Sequence, residues 1–113
     1  MIDSVTQAAL QSAIDGLSLR QQAIANNVAN INTPNYHAQR VIFEDALAAS
    51  VVGGNGNVTA QTQQSLEPTQ LNGNNVNLDE ETLSNVETGL RYQFATQAMS
   101  QQFQSISAAL KSS

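Results

Sequence analysis

Few residues of this chain could do chemistry. His37 is the single histidine, cysteine is absent, and three acids, Asp79, Glu80 and Glu81, follow one another. A metal site or a catalytic triad needs partners at short, regular spacing, and the sequence holds no His-x-x-His or Glu-x-x-His pair. Adjacent helical residues point to different faces, so the acids suit the first turn of a helix better than acid–base catalysis. We predict no enzyme, no metal and no cofactor, and an exposed His37.

Charge and hydropathy exclude two further classes of function. The chain has four Lys or Arg residues, nine Asp or Glu residues and a net charge of −5, so no basic stripe is available to bind nucleic acid. No apolar run approaches the length that crosses a bilayer, so we predict no direct membrane insertion. The first five residues lack the basic and apolar regions of a secretory signal. We expect that any export of this chain does not use a cleaved signal peptide.

Apolar residues in the first third of the chain recur at helical spacing. The intervals between them alternate between four and three residues, which is typical of one face of a coiled-coil helix. We therefore predict a helix from about residue 4 to about residue 32. The seam consists of Leu10, Ile14, Leu17, Gln21, Ile24, Val28 and Ile31.

The last third of the chain repeats this pattern with one irregularity. The apolar stripe resumes at Met99 one step out of phase with its first half. A partner helix could follow such a stripe only by curving, or two partners could share it. Acids in the first turn and Asn77 as a cap predict a helix over about residues 79–110. Its packing residues are Leu83, Val86, Leu90, Phe94, Met99, Phe103, Ile106 and Leu110.

These elements predict a mainly α fold, in which the two long terminal helices pair as an antiparallel, coiled-coil-like hairpin. Residues 1–49 form the N-terminal helix, a turn and a short helix, and residues 77–113 form the C-terminal helix. Between them, 19 of the 27 residues at 50–76 are Gly, Asn, Gln, Ser, Thr or Pro. We predict a flexible polar loop there, with a hairpin or a disordered insert as alternatives. The whole is one axial domain.

Two glycines, Gly16 and Gly89, interrupt the predicted helices. Each costs a helix about 1 kcal/mol relative to alanine. Either they allow another group to approach the backbone closely, or they are tolerated exposed positions. The sequence leaves both interpretations open.

An asparagine-rich run closes the first predicted helix. Asparagine forms helices poorly because its amide competes for nearby backbone groups, so contacts must hold the helix there. Pro34 excludes Thr33 from the α region and ends the helix. Asn35 would then occupy the turn position that needs a positive φ. We interpret the run as a packing surface; an ordinary helix exit decorated with amides is the alternative. The run comprises Asn26, Asn27, Asn30, Asn32, Thr33, Pro34, Asn35 and Tyr36.

The apolar flanks of the two terminal helices indicate that the chain assembles with other chains. Two paired helices cannot enclose a core, so their apolar flanks stay exposed unless other copies or related chains cover them. The sequence therefore favours a self-assembling or co-assembling helical element. A soluble helical adaptor or chaperone-like binding module is the competing hypothesis.

Residues 26–36 resemble the N-terminal signature of the bacterial flagellar rod, hook and hook-associated axial proteins. Glycine usually occupies the place of Asn35 in that family, and asparagine is the next best residue for a positive φ. Residues 72–81, followed by Leu90-Arg91-Tyr92-Gln93, are similar to the proximal rod proteins more than to their neighbours in the rod. Another rod protein remains the alternative within the family.

The resemblance implies a structural subunit of the proximal rod of the bacterial flagellar basal body. Such a subunit would self-assemble through its terminal helices, transmit torque and line the export channel. The implied location is the rod in the periplasmic space, reached through the flagellar type III export apparatus. The implied partners are further copies of the chain, other rod proteins, the adaptor between the rod and the inner-membrane ring, and the export apparatus. The asparagine-rich run would be the assembly motif.

Overall fold

A computed structural model of the chain describes residues 4–111. Long helices occupy both ends, and a short helix and two short strands lie between them. The mainly helical fold predicted from the sequence is confirmed. In chain order the elements are α1 (Ser4–Ala29), β1 (Gln39–Ile42), α2 (Glu44–Val52), β2 (Gln61–Gln64) and α3 (Leu78–Lys111).

The two long helices run antiparallel and give the molecule a rod-like shape of 66 × 25 × 15 Å. Near the end of α1, Asn27 contacts Glu81 at the start of α3. At the opposite end, Gln7 and Gln102 line one cavity between the helices, of about 750 Å³. A helix of 34 residues is roughly 50 Å long at ~1.5 Å per residue. α3 therefore accounts for most of the long dimension.

The helix ends lie close to the predicted positions. The amide oxygen of Asn77 accepts the backbone N–H groups of Asp79 (3.0 Å) and Glu80 (3.3 Å), which confirms the predicted cap of α3. The first helix ends at Ala29, slightly earlier than predicted. Asn35 has a φ of +63°, as expected from the Pro-Asn turn. Its backbone N–H donates to the carbonyl of Asn72 (2.9 Å), so the turn packs against the middle segment.

The middle segment differs from the predicted flexible loop because part of it pairs with other elements. β2 runs antiparallel to β1, with Gln39 opposite Gln64 and Ile42 opposite Gln61. Just before α3, Asn74, Asn75 and Val76 are buried. Composition identified a polar segment but not its backbone hydrogen bonds, because the groups that make them belong to the main chain and not to the side chains.

The core lies where α1, β1, α2 and α3 meet. A methyl group added at Gly16 would lie 2.6 Å from the ring of Phe43, whereas one added at Gly89 would meet no atom within 4 Å. Gly16 thus allows a close approach, and Gly89 is a tolerated glycine in this chain. The two interpretations left open by the sequence each apply to one glycine. The buried core residues are Leu17, Ala23, Val41, Phe43 and Ala95.

Candidate functional site: a buried asparagine hub and an exposed apolar stripe

Asn27 joins three elements of the fold. Its side chain is fully buried and donates to the Gln39 carbonyl (3.0 Å) and to Oε1 of Glu81 (3.1 Å). Its oxygen accepts the Gln39 N–H (2.8 Å) and the Tyr36 hydroxyl (3.3 Å). Both hydrogens and the oxygen of the amide are therefore used. Asn27 fixes the end of α1 against β1 and α3, although the sequence did not distinguish it from the other asparagines.

Glu81 is the partner of this hub on α3. Its side chain is 1% exposed, and Oε1 accepts Nη1 of Arg40 (2.8 Å) besides Asn27. Its second oxygen, Oε2, has no hydrogen-bond partner among residues 4–111. Glu80 is half exposed and also pairs with Arg40 (3.2 Å). The interpretation of all three acids as dipole-complementing residues was therefore incomplete, because Glu81 makes a buried ion pair.

Asn74 and Asn75 hold the segment before α3 in place. Asn74 donates to the carbonyls of Asn30 and Thr33, each at 2.8 Å, and so ties this segment to the turn that follows α1. Asn75 accepts the N–H of Ala38 at 2.6 Å. The sequence prediction missed these two residues because they lie in a stretch of biased composition. Their position directly before the helix cap was the available signal.

The predicted asparagine-rich motif divides between internal and exposed residues. Asn30 donates to the Asn26 carbonyl (2.8 Å) and accepts the Thr33 hydroxyl (3.0 Å). Asn27 and Tyr36 belong to the hub described above. Four of the eight side chains of the motif thus make intramolecular hydrogen bonds, and one of these four, Thr33, is also exposed. The exposed members are Asn26, Asn32, Thr33, Pro34 and Asn35.

A second polar cluster links the three helices. Arg20 binds both carboxylate oxygens of Glu44, at 2.6 and 2.7 Å, and also donates to the Val41 carbonyl at 2.6 Å. Arg91 of α3 reaches the same carboxylate at 3.2 Å and pairs with Glu87 at 2.6 Å. The hydrogen bond from Arg20 holds the pKa of Glu44 below its ordinary value. A planar guanidinium that binds both oxygens of a carboxylate fixes the relative orientation of the two groups, in addition to the attraction between their charges.

The face of α3 that packs inward is made of small and polar residues. Its buried residues are Glu81, Thr88 and Ala95, spaced seven residues apart. We call them the inner line. Seven residues are about two helical turns, so the inner line faces one partner helix along its length.

The large apolar residues in the first half of α3 face away from the inner line. Predicted to pack, they are 56–75% exposed in the single chain. The reason is their phase: each is one or two residues away from a member of the inner line, a rotation of about 100° or 200° around the helix, and therefore lies on another side of it. We call this set the outer stripe. It consists of Leu83, Val86, Leu90 and Phe94.

The second half of α3 resolves the irregularity noted in the sequence. Met99 and Ile106 are partly buried, whereas Phe103 and Leu110 are 59% and 72% exposed. The apolar stripe thus turns from the outer side of α3 toward the inner side, and α1 covers only part of it.

On α1, the predicted seam is buried in part. Leu17 and Ile24 are buried, whereas Val28 is 41% exposed because Asn27 takes the inward position beside it. Leu10, Ile14 and Ile31 are partly buried. An apolar groove of about 440 Å³ runs between this seam, α2 and the outer stripe. Its apolar lining includes Leu10, Leu17, Phe43, Leu47, Leu90 and Phe94.

Two kinds of site were sought among the described residues, a metal centre and a membrane-spanning helix. Residues 4–111 contain no group of three or more His, Cys, Asp or Glu side chains that could hold a metal ion. Within the same range, no helix has the length and apolar character needed to cross a bilayer. His37 is exposed.

Comparison of the sequence with known protein families indicates the class of protein to which the chain is similar. The family model described as flagella basal body rod protein matches residues 7–37, which span most of α1 and the turn at Asn35. The hairpin of long helices is thus found in a chain whose N-terminal part is typical of flagellar rod proteins, a class of structural components. The match supports a structural role.

Two relatives identify the member of that class. The chain is 30% identical to the flagellar basal body rod protein FlgB of Bacillus subtilis, over 89% of each chain. It is 29% identical to FlgB of Borreliella burgdorferi, over 87% of this chain and 90% of the relative. The chain belongs to the FlgB family of flagellar basal-body rod proteins. The resemblance to bacterial flagellar rod proteins inferred from the sequence is therefore confirmed at the level of the family.

Proposed function

We propose that this chain is a structural, non-enzymatic subunit of the proximal rod, which assembles through the outer stripe and the adjoining apolar groove. The outer stripe is the observation that carries the proposal. Four large apolar side chains stand more than half exposed along one helix, and contiguous apolar surface of this kind marks an interaction site. Further copies of the chain and other rod proteins would cover it.

Other exposed residues fit the same role. Phe103 and Leu110 extend the apolar surface along α3. Asn26 and Asn32, which are exposed, would hydrogen-bond neighbouring subunits. In the middle segment, Leu66 and Leu71 are essentially fully exposed, at 99% and 110% of the reference area. Burial of one such leucine side chain in an assembly would stabilise that assembly by about 1.5–3 kcal/mol.

The rod-like hairpin also suits the finer parts of the proposed function. Helices aligned along one axis would transmit torque, and a ring of such hairpins would line an export channel. The subunit would reach the periplasmic space through the flagellar type III export apparatus. There it would contact the adaptor between the rod and the inner-membrane ring. Family membership and the elongated shape support these steps.

A pair of substitutions in the outer stripe tests the proposal. In cells that produce the variant in place of the native chain, Leu83→Asp with Leu90→Asp should abolish swimming and remove the chain from purified basal bodies. Two carboxylates in an apolar interface would have to be desolvated. The matched control is Leu83→Met with Leu90→Met, which keeps the surface apolar and should leave swimming near normal.

The same experiment separates the proposal from the competing function. A soluble adaptor or chaperone-like module would be absent from purified basal bodies even in its native form. Normal swimming in the Asp pair, or absence of the native chain from the rod, would contradict a structural role for the outer stripe.

A further inference from the structure

The contact between α1 and α3 is nearly repetitive. The inner line on α3 repeats every seven residues, and α1 carries Leu10, Leu17 and Ile24 at the same interval. Thr88 and Ala95 are small, so neither fills a pocket of distinctive shape. If α3 slid by one repeat, about 10 Å along the pair, similar side chains would meet again. Apolar packing alone therefore specifies the register of the two helices weakly.

Glu81 breaks this repetition. It is the only charged residue of the inner line, its side chain is 1% exposed, and Asn27 and Arg40 both donate to its Oε1. A slide of one repeat would put Thr88 in its place, so that the carboxylate would lose both donors and the buried Asn27 amide would lose its charged partner. An unpaired buried charge is among the most unfavourable groups in a protein interior.

The other charged residues by which α3 contacts the rest of the fold, Glu80 and Arg91, are more exposed. Arg91 and Glu44 retain 51% and 41% of their side-chain exposure, and ion pairs at that exposure contribute little. Asn74 holds the segment before α3 through neutral hydrogen bonds to two carbonyls. Among the charged residues of α3 up to Lys111, Glu81 is the one that is buried.

We propose that Glu81 is a positioning residue that locks the register of α3 on α1, and thereby sets the height of the outer stripe along the rod axis. Buried polar residues fix register in coiled coils by the same physics, because every other alignment leaves them unpaired. Only one oxygen of the Glu81 carboxylate is hydrogen-bonded, since Oε2 has no partner in residues 4–111. This is consistent with a residue whose role is to specify the register rather than to add stability. The consequence for the rod rests on the proposed function; the register itself does not.

Cross-linking of the purified full chain tests the lock directly. The chain has no cysteine, so introduced pairs are unambiguous. Ala13→Cys with Ala95→Cys reports the native register, because both residues line the same groove. Ala13→Cys with Thr88→Cys, or with Gln102→Cys, reports a slide of one repeat in either direction. A short bifunctional thiol reagent is applied to each pair, and the cross-linked fraction is measured.

With Glu81 present, the native pair should cross-link about tenfold more than either slipped pair. In the Glu81→Leu background, a slipped pair should rise to within about threefold of the native one. Glu80→Leu is the matched control: it changes the neighbouring, half-exposed acid in the same way and should keep the native pattern. Asn74→Ala should keep it too, since Glu81 remains.

Several results would overturn the proposal. These are a native-only pattern in Glu81→Leu, slipped cross-links in Glu80→Leu or Asn74→Ala, or no preference among the pairs when Glu81 is present. Loss of every cross-link together with the helical circular dichroism signal in Glu81→Leu would also contradict it, because Glu81 would then be needed for folding rather than register. Swimming is scored separately. If cross-linking confirms that Glu81 sets the register but the chain is absent from the rod, the proposed function is contradicted and the proposal about the register is not.

Discussion

The two sides of α3 reverse the usual arrangement of a helix. On the inner line, Glu81, Thr88 and Ala95 are buried, while on the outer stripe Leu83 and Phe94 are 68% and 75% exposed. In a self-contained domain the large apolar residues would face the partner helix. The difference teaches that hydrogen bonds and close approach fix α3 in the single chain, which leaves the apolar outer stripe available for the assembly that we propose.

The largest effect is expected on the inner side, at Asn27. Asn27→Ala would leave the Gln39 N–H and C=O and the Glu81 carboxylate without their buried partner, so the free energy of unfolding should fall by about 2–4 kcal/mol. Asn26→Ala, one residue away and exposed, should change it by less than about 0.5 kcal/mol. Urea unfolding followed by circular dichroism measures both. Equal effects of the two variants would show that Asn27 is not a hub.

An intermediate effect is expected at Gly16, where α1 meets Phe43. Gly16→Ala would place a methyl group 2.6 Å from the ring, and such overpacking should lower the free energy of unfolding by about 1–3 kcal/mol. Gly89→Ala in α3 meets no atom within 4 Å. It should instead raise the free energy of unfolding by up to about 1 kcal/mol through helix propensity. The same unfolding measurement compares them, and an equal sign for both would refute the distinction between the two glycines.

The smallest effect on the isolated chain is expected from the outer stripe. Leu83→Asn replaces a side chain that is 68% exposed. The free energy of unfolding of the isolated chain, measured in urea, should therefore change by less than about 0.5 kcal/mol. The same change should reduce the amount of the chain recovered in basal bodies. A large loss of stability in the isolated chain would show that Leu83 packs internally, and would remove the contrast between the two sides.

The sequence predicted the elements better than the faces that they use. Helical spacing and the Asn77 cap located α1 and α3 closely, because periodicity and capping are local properties. The positive φ of Asn35 followed from the adjacent proline. The side of α3 that packs internally was not predictable, because a rule that buries apolar residues cannot separate burial within the chain from burial in an assembly.

The hub was hidden for a related reason. Asn27 has the same chemistry as Asn26, Asn30 and Asn32, and only its position facing β1 and Glu81 distinguishes it. Glu81 stood beside two other acids, so a first-turn role accounted for all three. Contacts between residues 54 positions apart depend on the packing of the whole chain, which spacing along the sequence does not contain.

A reconstruction of the intact flagellar basal body tests the central claim most directly. We expect the chain in the proximal rod, with Leu83, Leu90 and Phe94 buried against neighbouring subunits and with Asn27 still bonded to Glu81 inside each helix pair. Absence of the chain from the rod would contradict the account. So would a rod in which the outer stripe of each subunit faces solvent.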